Sequence, residues 1–202
     1  MLIPALTVAS GGRKSGGVQT ASYLCLEALE RAGDDFWIAE TLWAISGTNR
    51  MLDLREEGIR QVKEALEIYE RLNDISGQAR CLCRLAYLLY GDWQLDAAER
   101  VALQVISHFS GKSEQDPVCD CYRLLGEICR SKGEKEKSID HFKTALEIAS
   151  SFNWDDQLCW IHHALANLFF DEGRFDDARA HVEHAKYHTT NDAYLLGWVV
   201  EL

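Results

Sequence analysis

Residues 121–148 read CYRLLGEICRSKGEKEKSIDHFKTALEI, and two helical stripes meet in them. Leu124, Leu125, Ile128 and Cys129 share one face of a helix; Ile139, Phe142, Ala145, Leu146 and Ile148 share one face of another. Between the stripes, SKGEKEK (131–137) supplies a glycine stop and then charged residues that open a new helix. The stretch predicts a helix–turn–helix hairpin.

Laid out in rows of 40, the rest of the chain falls into register with this hairpin. One column reads Ile45, Leu85, Leu125, Leu165 and the next Ser46, Ala86, Gly126, Ala166. Twelve residues after the small ones stand Gly58, Ala98, Ser138 and Ala178, and seven further on Ala65, Val105, Ala145 and Ala185. Antiparallel helices approach to about 8–10 Å only where the side chains at their crossing are short. The two small columns therefore mark the crossing within each hairpin, and four stacked hairpins are predicted. First helices are expected at 36–50, 76–90, 116–132 and 156–172, and second helices at 55–72, 95–110, 135–151 and 175–189. Asp116-Pro117 reads as an N-cap followed by proline at the first helical position.

The register divides the chain as follows. Residues 1–16 fit no repeat and are expected to form a flexible tail, and 17–202 form the array. Within it, 17–34 are the second helix of a partial repeat, 35–74, 75–114, 115–154 and 155–190 are full repeats, and 191–202 begin a truncated first helix. Lone helices at both ends leave apolar faces bare. A fragment of a longer array or a shortened gene product is the expectation they raise, and self-association through those faces is a further one.

Composition narrows the function classes. The 202 residues are 47% hydrophobic and 26% charged, values of a globular chain rather than a disordered one. Only Pro4 and Pro117 punctuate it, too few for a β-sandwich. A net charge of -11 opposes nucleic-acid binding and repels anionic membranes. The seven cysteines are an odd number in a chain too long to need disulfide staples, which reads as a reduced, cytoplasmic protein.

The rows resemble the tetratricopeptide repeat. In residues 121–148 the resemblance rests on Leu125-Gly126, Gly133 at the turn, Ser138 and the Phe142…Ala145-Leu146 group; LANLFFDEGRFDDARAHVEHA (165–185) repeats it. Cys129 stands where the family has an aromatic residue, the period is 40 rather than 34, and the closing proline is absent. These departures resemble the longer repeats of kinesin light chains, and 123–197 is similar to arrays attached to NACHT or NB-ARC modules in fungal NLR-like proteins. The resemblance implies an all-α, right-handed superhelical solenoid of antiparallel hairpins, with first helices lining a concave groove suited to an extended peptide or helix.

In that register the groove face carries Glu40, Trp43 and Arg50; Arg80, Arg84 and Tyr87; Arg123, Glu127 and Arg130; and Trp160, His163 and Asn167. A basic strip with aromatic flanks on an acidic body points to an acidic or carboxylate-bearing segment. The alternative is that these arginines pair with Glu40, Asp120 and Glu127 and bind nothing. The carboxylate clamp of the family's chaperone-binding subgroup is not expected, because its asparagine slots hold Gly47, Tyr87 and Glu127.

Other constellations weigh less. His181, His184 and His188 share a helix face and His162 and His163 lie one helix away, but no Cys or carboxylate is placed to complete a metal site, so a polar outer face is the simpler reading. Cys81-x-Cys83 and Cys119-x-Cys121 project about 200° apart on a helix and cannot share an ion. GGRKSGG (11–17) lacks the glycine before Lys14 that a phosphate loop needs. Asp155-Asp156 and Asp176-Asp177 are read as helix-opening carboxylates that cap free N–H groups. No nucleophile–base pair is visible. The expectation is a non-enzymatic interaction scaffold without cofactor or metal; the alternative is the regulatory, sensor or oligomerising arm of a NACHT or NB-ARC signalling ATPase.

Overall fold

A computed structural model describes residues 15–111 and 113–188, with side chains from residue 21 onward. The expected tail up to residue 14 and the truncated helix at 191–202 lie outside the described residues. Those described form helices and turns, with no strand. In order they are α1 (Ser15–Ala32), α2 (Asp35–Met51), α3 (Arg55–Arg71), α4 (Ile75–Gly91), α5 (Leu95–Phe109), α6 (Gln115–Ser131), α7 (Lys135–Phe152), α8 (Asp155–Asp171) and α9 (Phe175–His188). First helices start at 35, 75, 115 and 155 and second helices at 55, 95, 135 and 175, so both series advance by 40. From α2 on, every end lies within one residue of its expected place. α1 opens at Ser15, two residues before the expected start of the array.

One turn joins almost all of these helices. A residue in the left-handed region follows the helices at Gly33, Asp53, Asn73, Trp93, Gly133, Asn153 and Gly173, a step of twenty broken only after α5, where Gly111 holds that conformation. The next residue then donates its N–H five residues back, as in Leu54 N to Asn49 O (2.9 Å), Glu134 N to Cys129 O (2.9 Å) and Arg174 N to Phe169 O (2.9 Å). That is the Schellman closure of a helix C-terminus. The same residue's carbonyl accepts the first bond of the following helix, as Leu54 O does from Gly58 N (3.0 Å) and Glu134 O from Ser138 N (3.0 Å). Three residues thus stop one helix and start the next, which fixes the hairpin geometry.

The chain divides into two compact units, residues 1–88 and 89–202. In the first, α1 packs on α2 and α2 on α3. Ser46 is fully buried, and a Cβ on Gly58 would stand 3.2 Å from the Ser46 carbonyl and 3.0 Å from Leu88 Cδ2, so the crossing requires a small residue there. A buried polar chain ties three helices: Asn49 Nδ2 donates to Gln61 Oε1 (2.7 Å) and Gln61 Nε2 to the Tyr23 hydroxyl (2.7 Å). In the second unit each of α5 to α8 packs on its successor. Its core gathers Cys119, Phe142, Ala145, Leu158, Ile161, Leu165, Leu168 and Phe169. A Cβ on Gly126 would meet the Phe142 ring at 2.5–2.7 Å, and the Ser138 hydroxyl donates to the Gly126 carbonyl (2.8 Å). All four sequence columns are buried in all four repeats.

Two local expectations are corrected. α6 begins at Gln115, with Glu114 as its cap and no side-chain cap bond, so Asp116 and Pro117 fall inside the first turn. Proline is accommodated there because the first N–H groups of a helix have no intrahelical partner. Asp116 instead accepts from Gln157 Nε2 on α8 (2.8 Å). Asp155, Asp156, Asp176 and Asp177 do lie in first turns, where they meet the positive end of the helix dipole. The cap of α8, however, is Trp154, which makes no side-chain cap bond.

Candidate functional site

Each of the expected groove residues is half-buried on its own first helix, Arg50 alone being exposed. In the first unit, α2 contributes Glu40 and Trp43 and α4 contributes Arg80, Arg84 and Tyr87. Arg80 donates both terminal nitrogens to the Glu40 carboxylate, and the Tyr69 hydroxyl donates to the same group. Burial would raise the Glu40 pKa, but the bonds from Arg80 and Tyr69 outweigh it and hold the carboxyl below its ordinary value. Burial and the adjoining Glu40 charge push the Tyr69 hydroxyl far upward, so it remains a donor. The Arg80 guanidinium carbon also lies 5.0 Å from the Trp43 ring centroid, and that of Arg84 4.6 Å. Trp43 is therefore the platform of this face, with two cations over it.

In the second unit, α6 brings Arg123, Glu127 and Arg130 and α8 brings Trp160, His163 and Asn167. Arg123 pairs with Asp120 (2.8 Å); Arg130 pairs with Glu127 (3.0 Å) and with Asp171 of α8 (2.6 Å). Asn167 Nδ2 stands 3.4 Å from His163 Nδ1, and Trp160 meets the same ring edge-on. Burial lowers the His163 pKa; Glu127 opposes this, while Arg123 and Arg130 reinforce it. A neutral imidazole there can both donate and accept.

The three carboxylates weighed in the sequence as internal partners each take an arginine, in the pairs Arg80–Glu40, Arg123–Asp120 and Arg130–Glu127. Those arginines act first as braces of the stripe. Two participants were not foreseen. Tyr69 belongs to a second helix, and the sign of its inward reach is Gly77, whose added Cβ would overlap the Tyr69 ring. Asp171 stands 41 residues from Arg130, one repeat on, a spacing visible only when adjacent rows are compared for charge.

Away from the stripe, α8 and α9 bring four histidines together. His162 Nδ1 lies 2.9 Å from His181 Nδ1, and its ring stacks on those of His184 and His188 at 4.9 and 6.0 Å. Burial and these like neighbours lower the His162 pKa to about 4. The rings lie face to face rather than around a point, and among the described residues no group of three ligating side chains is placed to hold a metal ion. Every cysteine but the exposed Cys25 is buried, and burial pushes the Cys81 and Cys119 thiols up to about 12, which suppresses thiolate chemistry near neutrality. No helix among the described residues is long and apolar enough to cross a membrane.

With the hairpins, their turn and the stripe established, the likeness to known proteins can be read. Residues 119–186 match the tetratricopeptide repeat family model. That match lies within α6 to α9. No curated protein matches this repeat chain in sequence. Among solved structures, a Rap protein complexed with competence and sporulation factor overlays with a TM-score of 0.79 at 18% identity, covering 92% of this chain and 53% of that one. Aspartyl phosphate phosphatase F from Bacillus subtilis overlays at 0.77 and 15% identity, covering 91% and 49%. MamA overlays at 0.54 and 17% identity, covering 89% and 91%. At such identities the likeness is one of fold, a helical-repeat solenoid. The chain spans about half the length of the first two structures.

Proposed function

We propose that this tetratricopeptide-repeat chain is a non-enzymatic scaffold that holds an acidic segment of a partner protein against its first helices. The observation that carries the reading is the Trp43 platform with Arg80 and Arg84 over it. A rigid aromatic flanked by guanidinium groups is the composition of an interface anchor. Arg123, Arg130, Trp160, His163 and Asn167 supply the same mixture on the other unit. Arg50, Tyr87 and Glu127 complete the proposed contact set. The fold supports this use, since one neighbour of the same architecture is a Rap protein complexed with a factor.

The test is affinity capture with mass spectrometry, comparing the wild type with Arg84→Glu/Arg123→Glu. The double variant should lose the partner while circular dichroism shows it still helical, the loss of the Arg123–Asp120 pair being expected to lower its melting temperature. Capture by both proteins alike would remove this face from recognition. If the captured protein were a NACHT or NB-ARC ATPase, the chain would instead be read as the regulatory arm of such a machine.

A further inference from the structure

We infer that the α8–α9 hairpin is an acid-released latch: protonation of the histidine cluster at its interface detaches α9 from α8 while α6 and α7 stay folded. The inference does not rest on the scaffold reading.

The preceding hairpin supplies the contrast. One period of 40 before His162, His181, His184 and His188 stand Tyr122, His141, Thr144 and Ile148 of α6 and α7. The Tyr122 and His141 rings meet at 6.2 Å, as those of His162 and His181 do at 5.2 Å. The ring pair recurs; its surroundings do not. His184 and His188 stack on His162 as well, so four imidazoles share an interface to which the earlier hairpin brings one. His162 Nδ1 lies 2.9 Å from His181 Nδ1. One N–H and one lone pair satisfy that approach, and protonating both rings sets two N–H groups against each other.

Little else holds α9 in place. It buries Ala178 and Ala185, whereas α7 buries Ser138, Phe142, Ala145 and Ala149. Where α7 has the buried Phe142, α9 has the partly buried Val182. Packing of an apolar face is what keeps a helix on its neighbour, so this hairpin depends on its ring stack more than the preceding one does.

The charges that act on His162 come from His181, His184 and His188 of α9, all of one sign once protonated. α6 turns Arg123, Glu127 and Arg130 to His163 instead, and α7 contributes no charge to His162 among the described residues. The carboxylates of the interface are Asp155 of α8, 2.9 Å from His188, and Asp177 of α9, which acts on His181. Burial first and the like neighbours next lower the His162 pKa from 6.5 to about 4 in the closed hairpin. Detaching α9 removes both causes, so opening takes up a proton between those values. Lowering the pH from 7.5 to 5.0 therefore multiplies the opening equilibrium by about thirty. Opening uncovers Cys159, which is buried with Ala185, and Phe169, on which His181 stacks at 5.3 Å.

Hydrogen–deuterium exchange of the full chain, read by peptide mass spectrometry and corrected for the intrinsic pH dependence of exchange, follows each helix separately. Protection of residues 175–188 should fall about thirtyfold between pH 7.5 and 5.0, while that of 135–152 changes less than about threefold. His162→Tyr, which copies Tyr122, should abolish most of the fall without lowering protection at pH 7.5. His162→Gln, neutral and able to donate and accept, serves in its place if the tyrosine disturbs the hairpin. Equal losses from α7 and α9 would overturn the latch, because acid would then act on both hairpins together. It would be overturned as well by an α9 unprotected at pH 7.5, by unchanged protection in the wild type, or by a fall that the folded variant keeps.

Discussion

Trp93 holds a backbone conformation that its side chain opposes. Its φ is 56°, in the left-handed region, and its side chain is 78% exposed. The equivalent positions of the other turns hold Gly, Asn or Asp, which enter that region at little expense. Replacing Trp93 with Asn should relieve the strain and remove little buried surface. Stability should rise by about 1 kcal/mol in urea denaturation; a loss of that size would show that the ring contributes packing that its exposure conceals. Gly126 is the opposite case. Its missing Cβ is the space that the buried Phe142 ring fills at 2.5–2.7 Å. Gly126→Leu should destabilise by roughly 3 kcal/mol, the upper part of the overpacking range, because a rigid aromatic ring cannot give way as a flexible side chain would. A neutral result in the same assay would displace the hairpin crossing from that residue.

At the scale of elements, the hairpin of α8 and α9 is expected to lose stability in acid. His162 on α8 faces His181, His184 and His188 on α9; Asp155 opens α8 and accepts from His188 (2.9 Å), and Asp177 lies near His181. The folded-state pKa of His162 is lowered from 6.5 to about 4, burial being the largest cause and the like neighbours the next. Between those values the unfolded chain binds the proton that the folded one refuses. Stability from this group is therefore complete above pH 6.5, declines as the pH falls and levels off near pH 4. Thermal melts at pH 7 and 4.5 should show a smaller acid loss for His162→Phe than for the wild type. Equal losses would assign the acid sensitivity elsewhere. The histidines were visible in the sequence as a helix face. Their stacking was not, because periodicity places residues on a face without saying which rings across a hairpin meet.

For the molecule as a whole, charge and architecture point the same way. The chain carries -11 overall, yet Arg80, Arg123 and Arg130 stand on first helices, each held by a carboxylate of its own unit. Recognition through them depends on competition between internal and external acceptors. Partner capture should therefore weaken as salt rises, and the double arginine variant should lose that dependence along with the partner. Salt-independent capture would place the energy in apolar contacts instead.

The repeat length, the helix bounds and the small residues at each crossing were legible because they are set by backbone geometry. A helix must show its apolar stripe, a close crossing must exclude bulk, and both recur wherever the chain repeats. The partners of the stripe were partly legible: Arg123–Asp120 and Arg130–Glu127 lie three residues apart on one helix, and local spacing suffices to pair them. Tyr69 reaching Glu40, Asp171 reaching Arg130 and Arg84 settling against Gly47 were decided by the tertiary structure. Each joins side chains from different helices, and which of several reachable partners a long side chain takes depends on the few ångströms of space that packing leaves open.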